Sequence, residues 1–167
     1  MPSRTTQDSL LYVRSTTQRY KIANGDQIIE AARAIAGQRM QRGASFSNPA
    51  DSQTFFLDKL GGLEREVFAV AYLDTRHRLI EYVELFHGTI DGAEVYPREV
   101  VSRALRCNAA AVIVSHNHPS GDVTPSAADR AVTARLKQAL ALVDVRLLDH
   151  IIVGGTRAQA MAEHSRF

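Results

Sequence analysis

Two histidines and an aspartate stand close together in the segment SHNHPSGDVTPSAAD, residues 115–129. His116 and His118 are separated by one residue, and Asp129 follows later in the same segment. Residues two apart in an extended strand point to the same side, so the two imidazoles are expected to face one site. Two histidines and a carboxylate form a common catalytic zinc set, with the fourth position left to water. The segment therefore predicts a metal site, although HNHP also occurs by chance and Ser, Pro and Asp are routine at helix starts.

The elements on either side of this segment would hold the three groups in place. The apolar run AAAVIV, residues 109–114, predicts a buried strand, and residues 124–143 predict a long helix capped by Thr124. Functional sites of α/β folds usually lie where such a strand leaves the sheet. Asp129 falls in the early turns of the helix, where an ionised carboxylate is favoured. Ser126 precedes it by three residues and lies on the same helix face.

Hydrolysis by a metal-activated water also needs a base, and a carboxylate is the usual one. Glu66 stands directly before the strand-like run VFAVAYLD and is the first candidate. Glu64 would share its face and is the rival candidate. The simpler interpretation of either residue is a solvated charge at a strand start.

The remaining segments predict a mixed α/β domain in which helices cover a central sheet. EVFAVAYLD and LIEYVELFHGT predict a hairpin. A helix is predicted for residues 25–40, with Asp26 as its cap and a stop at Gly43. A second helix, capped by Asn48, is predicted for residues 47–62. A further helix is predicted for residues 97–108, PREVVSRALRCN. A strand is predicted for residues 145–155, VRLLDHIIVGG, and an edge strand for residues 12–22, YVRSTTQRYKI.

Composition limits the class of protein. The chain has 167 residues, 45% hydrophobic and 23% charged, which is typical of one globular domain. A net charge of +2 argues against a dedicated nucleic-acid binder. Because Cys107 is the only cysteine, a metal would have to be held by histidine and carboxylate. No signal peptide and no run approaching about 18 apolar residues is evident, so we expect a cytoplasmic protein without a membrane span.

The same residues resemble a known motif. A glutamate opening a strand, His-x-His-Pro and then Ser-x-x-Asp look like the JAMM (MPN+) metalloprotease motif. More closely, ELFHGT, YPREVV, NAAAVIVSHNHPSGDVTPSAAD and LLDHIIVG resemble the RadC family, whose members are described as DNA repair proteins. The resemblance spans roughly residues 47–167, which leaves 1–46 as an N-terminal helical or edge segment.

This resemblance implies a fold and a set of roles. The fold would be a JAB/MPN domain, a curved β-sheet flanked by helices. His116, His118 and Asp129 match the zinc ligands, Glu66 matches the catalytic glutamate, and Ser126 matches the serine that steadies the oxyanion. Asp149 and His150 in LLDHIIVG also match a family signature. Either of these two could hydrogen-bond the zinc ligands, or both could be a paired polar spot in a strand.

The combined expectation is a zinc-dependent peptidase or isopeptidase that acts on a peptide or protein. The alternative is a non-catalytic module that binds protein or DNA in repair. Five matching roles favour the enzyme, because a binding module has no need of them. Long RadC proteins carry an N-terminal helix-hairpin-helix module whose glycine pattern is missing from this sequence. The chain thus resembles the short form, for which duplex DNA binding should be weak and strongly salt-dependent.

Overall fold

A five-stranded mixed sheet lies at the centre of the protein. The computed structural model describes residues 11–14, 19–39, 45–88 and 94–163. Its elements are, in chain order, β1 (Tyr12–Arg14), β2 (Tyr20–Ile22), α1 (Gly25–Arg39), α2 (Pro49–Leu60), β3 (Val67–Leu73), β4 (Leu79–His87), α3 (Pro97–Arg106), β5 (Ala111–Asn117), α4 (Ala127–Ala141), β6 (Arg146–Gly154), β7 (Arg157–Ala160) and a short 3-10 helix (Met161–Glu163).

The order of strands in this sheet is β4-β3-β5-β6-β7. β3 pairs antiparallel with both β4 and β5, β5 pairs parallel with β6, and β6 pairs antiparallel with β7. The parallel pair requires a crossover, which α4 provides. Every residue of β3 and β5 is buried, which explains why β3 is apolar throughout and β5 is apolar up to Ser115.

Helices cover both faces of the sheet. On one face, α2 packs Phe55, Phe56 and Leu60 against strand residues that include Ile113. On the other face, α3 and α4 pack against residues that include Val114. Successive residues of a strand point to opposite faces. The end of β5 therefore directs His116 towards α4 and Asn117 towards the α2 side.

Most of the predicted elements are confirmed, but α4 begins later than predicted. Its N-cap is Ser126 and not Thr124. The Ser126 hydroxyl accepts a hydrogen bond from the backbone N–H of Asp129 at 3.0 Å, and the Asp129 carboxylate accepts one from the backbone N–H of Ser126 at 2.7 Å. This reciprocal pair satisfies two backbone donors that a helix start leaves without partners.

The N-terminal part differs from the prediction as well. Where one edge strand was predicted, two strands, β1 and β2, pair antiparallel in their own two-stranded sheet. Asn24 and Gln27 exchange hydrogen bonds at the start of α1, so Asn24 caps this helix and the prediction of Asp26 was wrong. The predicted stop at Gly43 falls outside the described residues. Within the described ranges, no helix has the length and apolar character needed to cross a membrane.

Candidate metal centre and active-site cleft

His116, His118 and Asp129 come together where β5 ends and α4 begins. One potential ligand atom from each residue lies within 4.8 Å of the others. The two Nε2 atoms are 2.8 Å apart. The Asp129 carboxylate oxygens lie 3.1 Å from His116 Nε2 and 3.6 Å from His118 Nε2. The convergence predicted from the spacing is thus present, and this group could hold a metal ion.

The turn after β5 fixes the orientation of His118. Its backbone N–H donates to the carbonyl oxygen of Val153 at 2.7 Å, and its ring Nδ1 lies 2.7 Å from the carbonyl oxygen of Asp122. A carbonyl can only accept, so Nδ1 carries the hydrogen and Nε2 faces the site. The turn passes through Gly121 at φ +83° and lies directly on the end of β6. A Cβ atom at Gly154 would be 2.5 Å from the Gly121 carbonyl oxygen, so the site needs glycine there.

A chain of three buried hydrogen bonds fixes the orientation of His116. The Thr133 hydroxyl donates to the carbonyl oxygen of Asp129 at 2.6 Å. Since its single hydrogen is used, the same oxygen accepts from Nδ1 of His150, also at 2.6 Å. Nε2 of His150 then accepts from Nδ1 of His116 at 2.8 Å. His116 is therefore left with an unprotonated Nε2 directed at Asp129, as a metal ligand requires.

The two alternatives left open for Asp149 and His150 are now decided. His150 is fully buried and contacts a candidate ligand directly. Asp149 instead accepts hydrogen bonds from the backbone N–H groups of His150 and Ala162, at 2.7 and 3.1 Å. Burial, together with the neighbouring His116 ring, holds the pKa of His150 well below its ordinary value, so the ring is neutral at pH 7.

The electrostatics of the cluster favour a cation. Both Nδ1 atoms donate elsewhere, so both Nε2 atoms present lone pairs to each other and to the carboxylate. Such a group of acceptors is repulsive unless a proton or a metal ion lies among them. The hydrogen bond with Asp129 raises the pKa of His118 despite its partial burial. Burial alone would raise the pKa of Asp129, but the two neighbouring imidazoles, of His116 and His118, outweigh it and hold that pKa well below its usual range.

A cleft of about 660 Å³ opens beside the cluster. Its lining combines the three candidate ligands with acidic, apolar and basic side chains. The lining residues are Glu66, Phe68, Glu94, Val95, His116, His118, Ser126, Ala128, Asp129, Ala131, Val132 and Arg135.

The two candidate bases lie in different places. Glu66 is half-buried and lines the cleft with the candidate ligands. Its negative charge contributes to the raised pKa of His118. Glu64 is exposed and lines a smaller cavity that shares His118 with the site but contains neither His116 nor Asp129. This placement favours Glu66 as the base.

Ser126 lies at the mouth of the cleft as the N-cap of α4. Its oxygen accepts the N–H of Asp129, so its own hydroxyl hydrogen can point into the cleft. The residues that the sequence proposed for catalysis and for metal binding thus line one cleft. Sequence reasoning missed Thr133 and Asn117. Thr133 stands four residues after Asp129, so on a helix it lies on the same face as this candidate ligand. Asn117 is a polar residue at the end of a buried strand, which indicates that its side chain must have hydrogen-bond partners.

Comparison with known families agrees with this geometry. The model of the RadC-like JAB domain matches residues 46–166. The chain belongs to the RadC-like JAB domain family. The predicted resemblance is therefore confirmed, and the five-stranded mixed sheet with flanking helices is consistent with a JAB domain.

Relatives of this RadC-like protein occur in several bacteria. A UPF0758 protein of Vibrio cholerae is 56% identical over 139 residues, which cover 83% of this chain and 87% of the relative. A UPF0758 protein of Xylella fastidiosa is 58% identical over 125 residues, 75% of this chain and 56% of the relative. One from Halorhodospira halophila is 54% identical over 143 residues, 86% of this chain and 64% of the relative. The chain thus spans most of the first relative and somewhat over half of the other two.

Proposed function

We propose that this RadC-like protein is a zinc-dependent hydrolase of the JAMM type that cleaves peptide or isopeptide bonds. The observation that carries the proposal is the cleft in which a His-His-Asp cluster lies beside Glu66 and Ser126. A protein that only binds a partner has no need of this combination. We place the enzyme in the cytoplasm, in keeping with its lone cysteine.

The residues fit a zinc ion in donor type and in protonation. Zinc accepts imidazole nitrogen and carboxylate oxygen, and catalytic sites use three protein ligands. His116 and His118 would bind through Nε2, because Nδ1 of each is engaged by His150 and by the Asp122 carbonyl oxygen. Asp129 would complete the set with a carboxylate that is ionised at neutral pH.

The chemistry assigns a different task to each remaining residue. When bound, zinc would supply Lewis acidity to the substrate carbonyl and would lower the pKa of a water molecule. Glu66 would take the proton from the attacking water and deliver it to the leaving amine. The Ser126 hydroxyl would donate to the oxyanion, a contact worth about 10²–10³ in rate at comparable sites.

The wall of the cleft formed by α4 suggests what the substrate presents. Ala128, Ala131 and Val132 lie on one face of this helix, with Arg135 one turn further along. The small side chains leave room for an apolar substrate residue next to the scissile bond. Arg135 would attract an acidic group further along the peptide.

Filling this wall should weaken substrate binding and leave the metal centre intact. Ala131 is exposed, so Ala131→Phe is expected to fold normally and retain zinc while occupying the space for the substrate side chain. We expect KM for a cleaved peptide to rise by about tenfold, the size of a lost apolar contact. Steady-state kinetics would test this, with the exposed Arg130→Ala as the control; an unchanged KM for Ala131→Phe would place the substrate elsewhere.

The hydrogen-bond chain from Asp129 to His116 should tune zinc affinity. Thr133→Val keeps the shape of the side chain but removes the hydroxyl that fixes the His150 tautomer. We expect zinc affinity to fall by about 10- to 100-fold, as for other groups that orient metal ligands. Competition with a chelator at pH 7 measures this directly. Thr133→Ser retains the hydroxyl and should bind zinc nearly as wild type does; equal affinities of the Val and Ser variants would contradict the role of the chain.

A peptide library tests the proposed function as a whole. Zinc-loaded protein should generate new amino termini or free lysine amines that mass spectrometry can identify. The control is the same protein treated with a chelator and with zinc omitted. Binding of peptides without any zinc-dependent cleavage would overturn the proposal and favour the non-catalytic module.

A further inference from the structure

The side chain of Asn117 contacts the segment that carries Glu66. Asn117 ends β5 and is only 2% exposed. Its amide oxygen accepts a hydrogen bond from the backbone N–H of Val67 at 2.8 Å. Its amide nitrogen donates to the carbonyl oxygens of Arg65 at 3.0 Å and of Leu63 at 3.3 Å. One buried side chain thus makes three hydrogen bonds to residues 63–67.

These bonds hold the peptide groups on both sides of Glu66. The carbonyl oxygen of Arg65 belongs to the peptide before Glu66, and the N–H of Val67 belongs to the peptide after it. The latter peptide is also held from the β4 side, where the N–H of Gly88 donates to the Glu66 carbonyl oxygen at 2.8 Å. With both flanking peptides fixed, the direction of the Cα–Cβ bond of Glu66 is fixed too.

The side-chain chemistry of asparagine suits this contact. Asparagine offers one carbonyl acceptor and two N–H donors on a short stem. Aspartate could accept from Val67 but could not donate to the two carbonyl oxygens. Alanine offers neither function, and the buried backbone groups would then lose their partner.

The position of Asn117 in the strand connects two parts of the site. It stands between His116 and His118 in sequence, but the alternation of the strand points it to the opposite side of the sheet. β3 and β5 are adjacent in this region, with Phe68 opposite His116. The backbone that carries the two histidines is therefore tied through Asn117 to the backbone that carries Glu66.

We propose that Asn117 is a positioning residue that holds Glu66 in place relative to His116 and His118. The proposal rests on the proposed hydrolase function, in which Glu66 is the base. A misplacement of about 1 Å can lower a rate about 10²-fold, so a fixed backbone on both sides of the base matters for turnover.

Kinetics of the zinc-loaded protein separate positioning from general destabilisation. Asn117→Ala should retain zinc and a KM within about threefold of wild type, while kcat falls by about 10- to 100-fold. In the Glu66→Gln background the same change should alter the residual rate by less than about threefold, because no base is left to position. Equal losses in both backgrounds would show a merely structural role and would overturn the proposal.

Two further variants keep the test sound. Asn117→Ser introduces no charge and keeps a hydroxyl that can hydrogen-bond one of the three backbone groups, so it should fold even where the alanine variant does not and should show an intermediate kcat. Ser115→Ala lies on the same face of β5, and among the described residues the Ser115 hydroxyl has no hydrogen-bond partner. This control should keep the wild-type kcat; a loss equal to that of Asn117→Ser would count against positioning.

Amide hydrogen exchange supplies a measurement that does not depend on activity. In wild type the N–H of Val67 should be protected, and in Asn117→Ala it should exchange at least about tenfold faster while the amides of β6 keep their protection. Unchanged protection of the Val67 N–H in Asn117→Ala would show that this N–H does not depend on Asn117 and would overturn the proposal. If the wild type cleaves nothing while Asn117→Ala still loses protection at Val67, the hydrolase function is overturned but the hydrogen bonds from Asn117 to residues 63–67 are supported.

Discussion

Glu66→Gln should abolish most hydrolysis while leaving zinc bound. Glutamine keeps the size of the side chain but cannot take a proton at neutral pH. Glu66 lines the cleft beside the His-His-Asp cluster and is not a member of it. We therefore expect kcat to fall by about 10²–10⁴-fold, with zinc content and melting temperature close to those of wild type. Turnover of a cleaved peptide, elemental analysis and thermal unfolding measure the three quantities.

Glu64 supplies the matched control for this experiment. It carries the same charge two residues earlier, yet it is exposed and lines a different cavity. Glu64→Gln should keep nearly full activity. An inactive Glu64→Gln beside an active Glu66→Gln would move the base to Glu64. If both variants remain active in zinc-loaded protein, the carboxylate mechanism fails although the metal site stands.

Local sequence was sufficient to predict the parts of the site that depend on local geometry. The two-residue spacing of His116 and His118 predicted that their rings meet, although β5 ends at Asn117 and His118 lies just beyond the strand. The sequence also contains the signal for the N-cap of α4, although we predicted Thr124 in place of Ser126. Residue 127, three positions after Thr124, is an alanine and cannot return a hydrogen bond, whereas Ser126 has Asp129 at that position.

The contacts that local sequence could not give are those that depend on strand register. His150 reaches His116 across 34 residues because β5 and β6 pair in parallel with Val114 opposite His150. Asn117 reaches residues 63–67 because β3 and β5 pair antiparallel. No periodicity within either strand specifies these registers, since they follow from how the helices and the crossover pack. The pairing of β1 with β2 was missed for a similar reason, since period-two patterning indicates a strand but not which strand it pairs with.

Replacement of either histidine should remove zinc, but the cost to the fold should differ. Protein purified without added metal should contain about one zinc per chain, and His116→Ala or His118→Ala should lose most of it. The His116 side chain is 3% exposed and hydrogen-bonds to buried His150, whereas the His118 side chain is 20% exposed. His116→Ala therefore leaves a cavity and a buried imidazole without its donor, at a cost of about 1–3 kcal/mol beyond the loss of metal.

The comparison should be made on metal-free and zinc-loaded protein side by side. With zinc removed, His116→Ala should melt below the wild type, and His118→Ala should melt close to it. Asp129→Asn should weaken zinc binding, since a neutral amide oxygen replaces the carboxylate, and it should also disturb the start of α4 by losing the charged acceptor for the Ser126 N–H. His77→Ala, in the turn between β3 and β4, is the control and should keep its zinc. Full zinc retention in both ligand variants would refute the assignment of the metal centre, whereas loss of zinc in His77→Ala would show that the metal responds to general destabilisation.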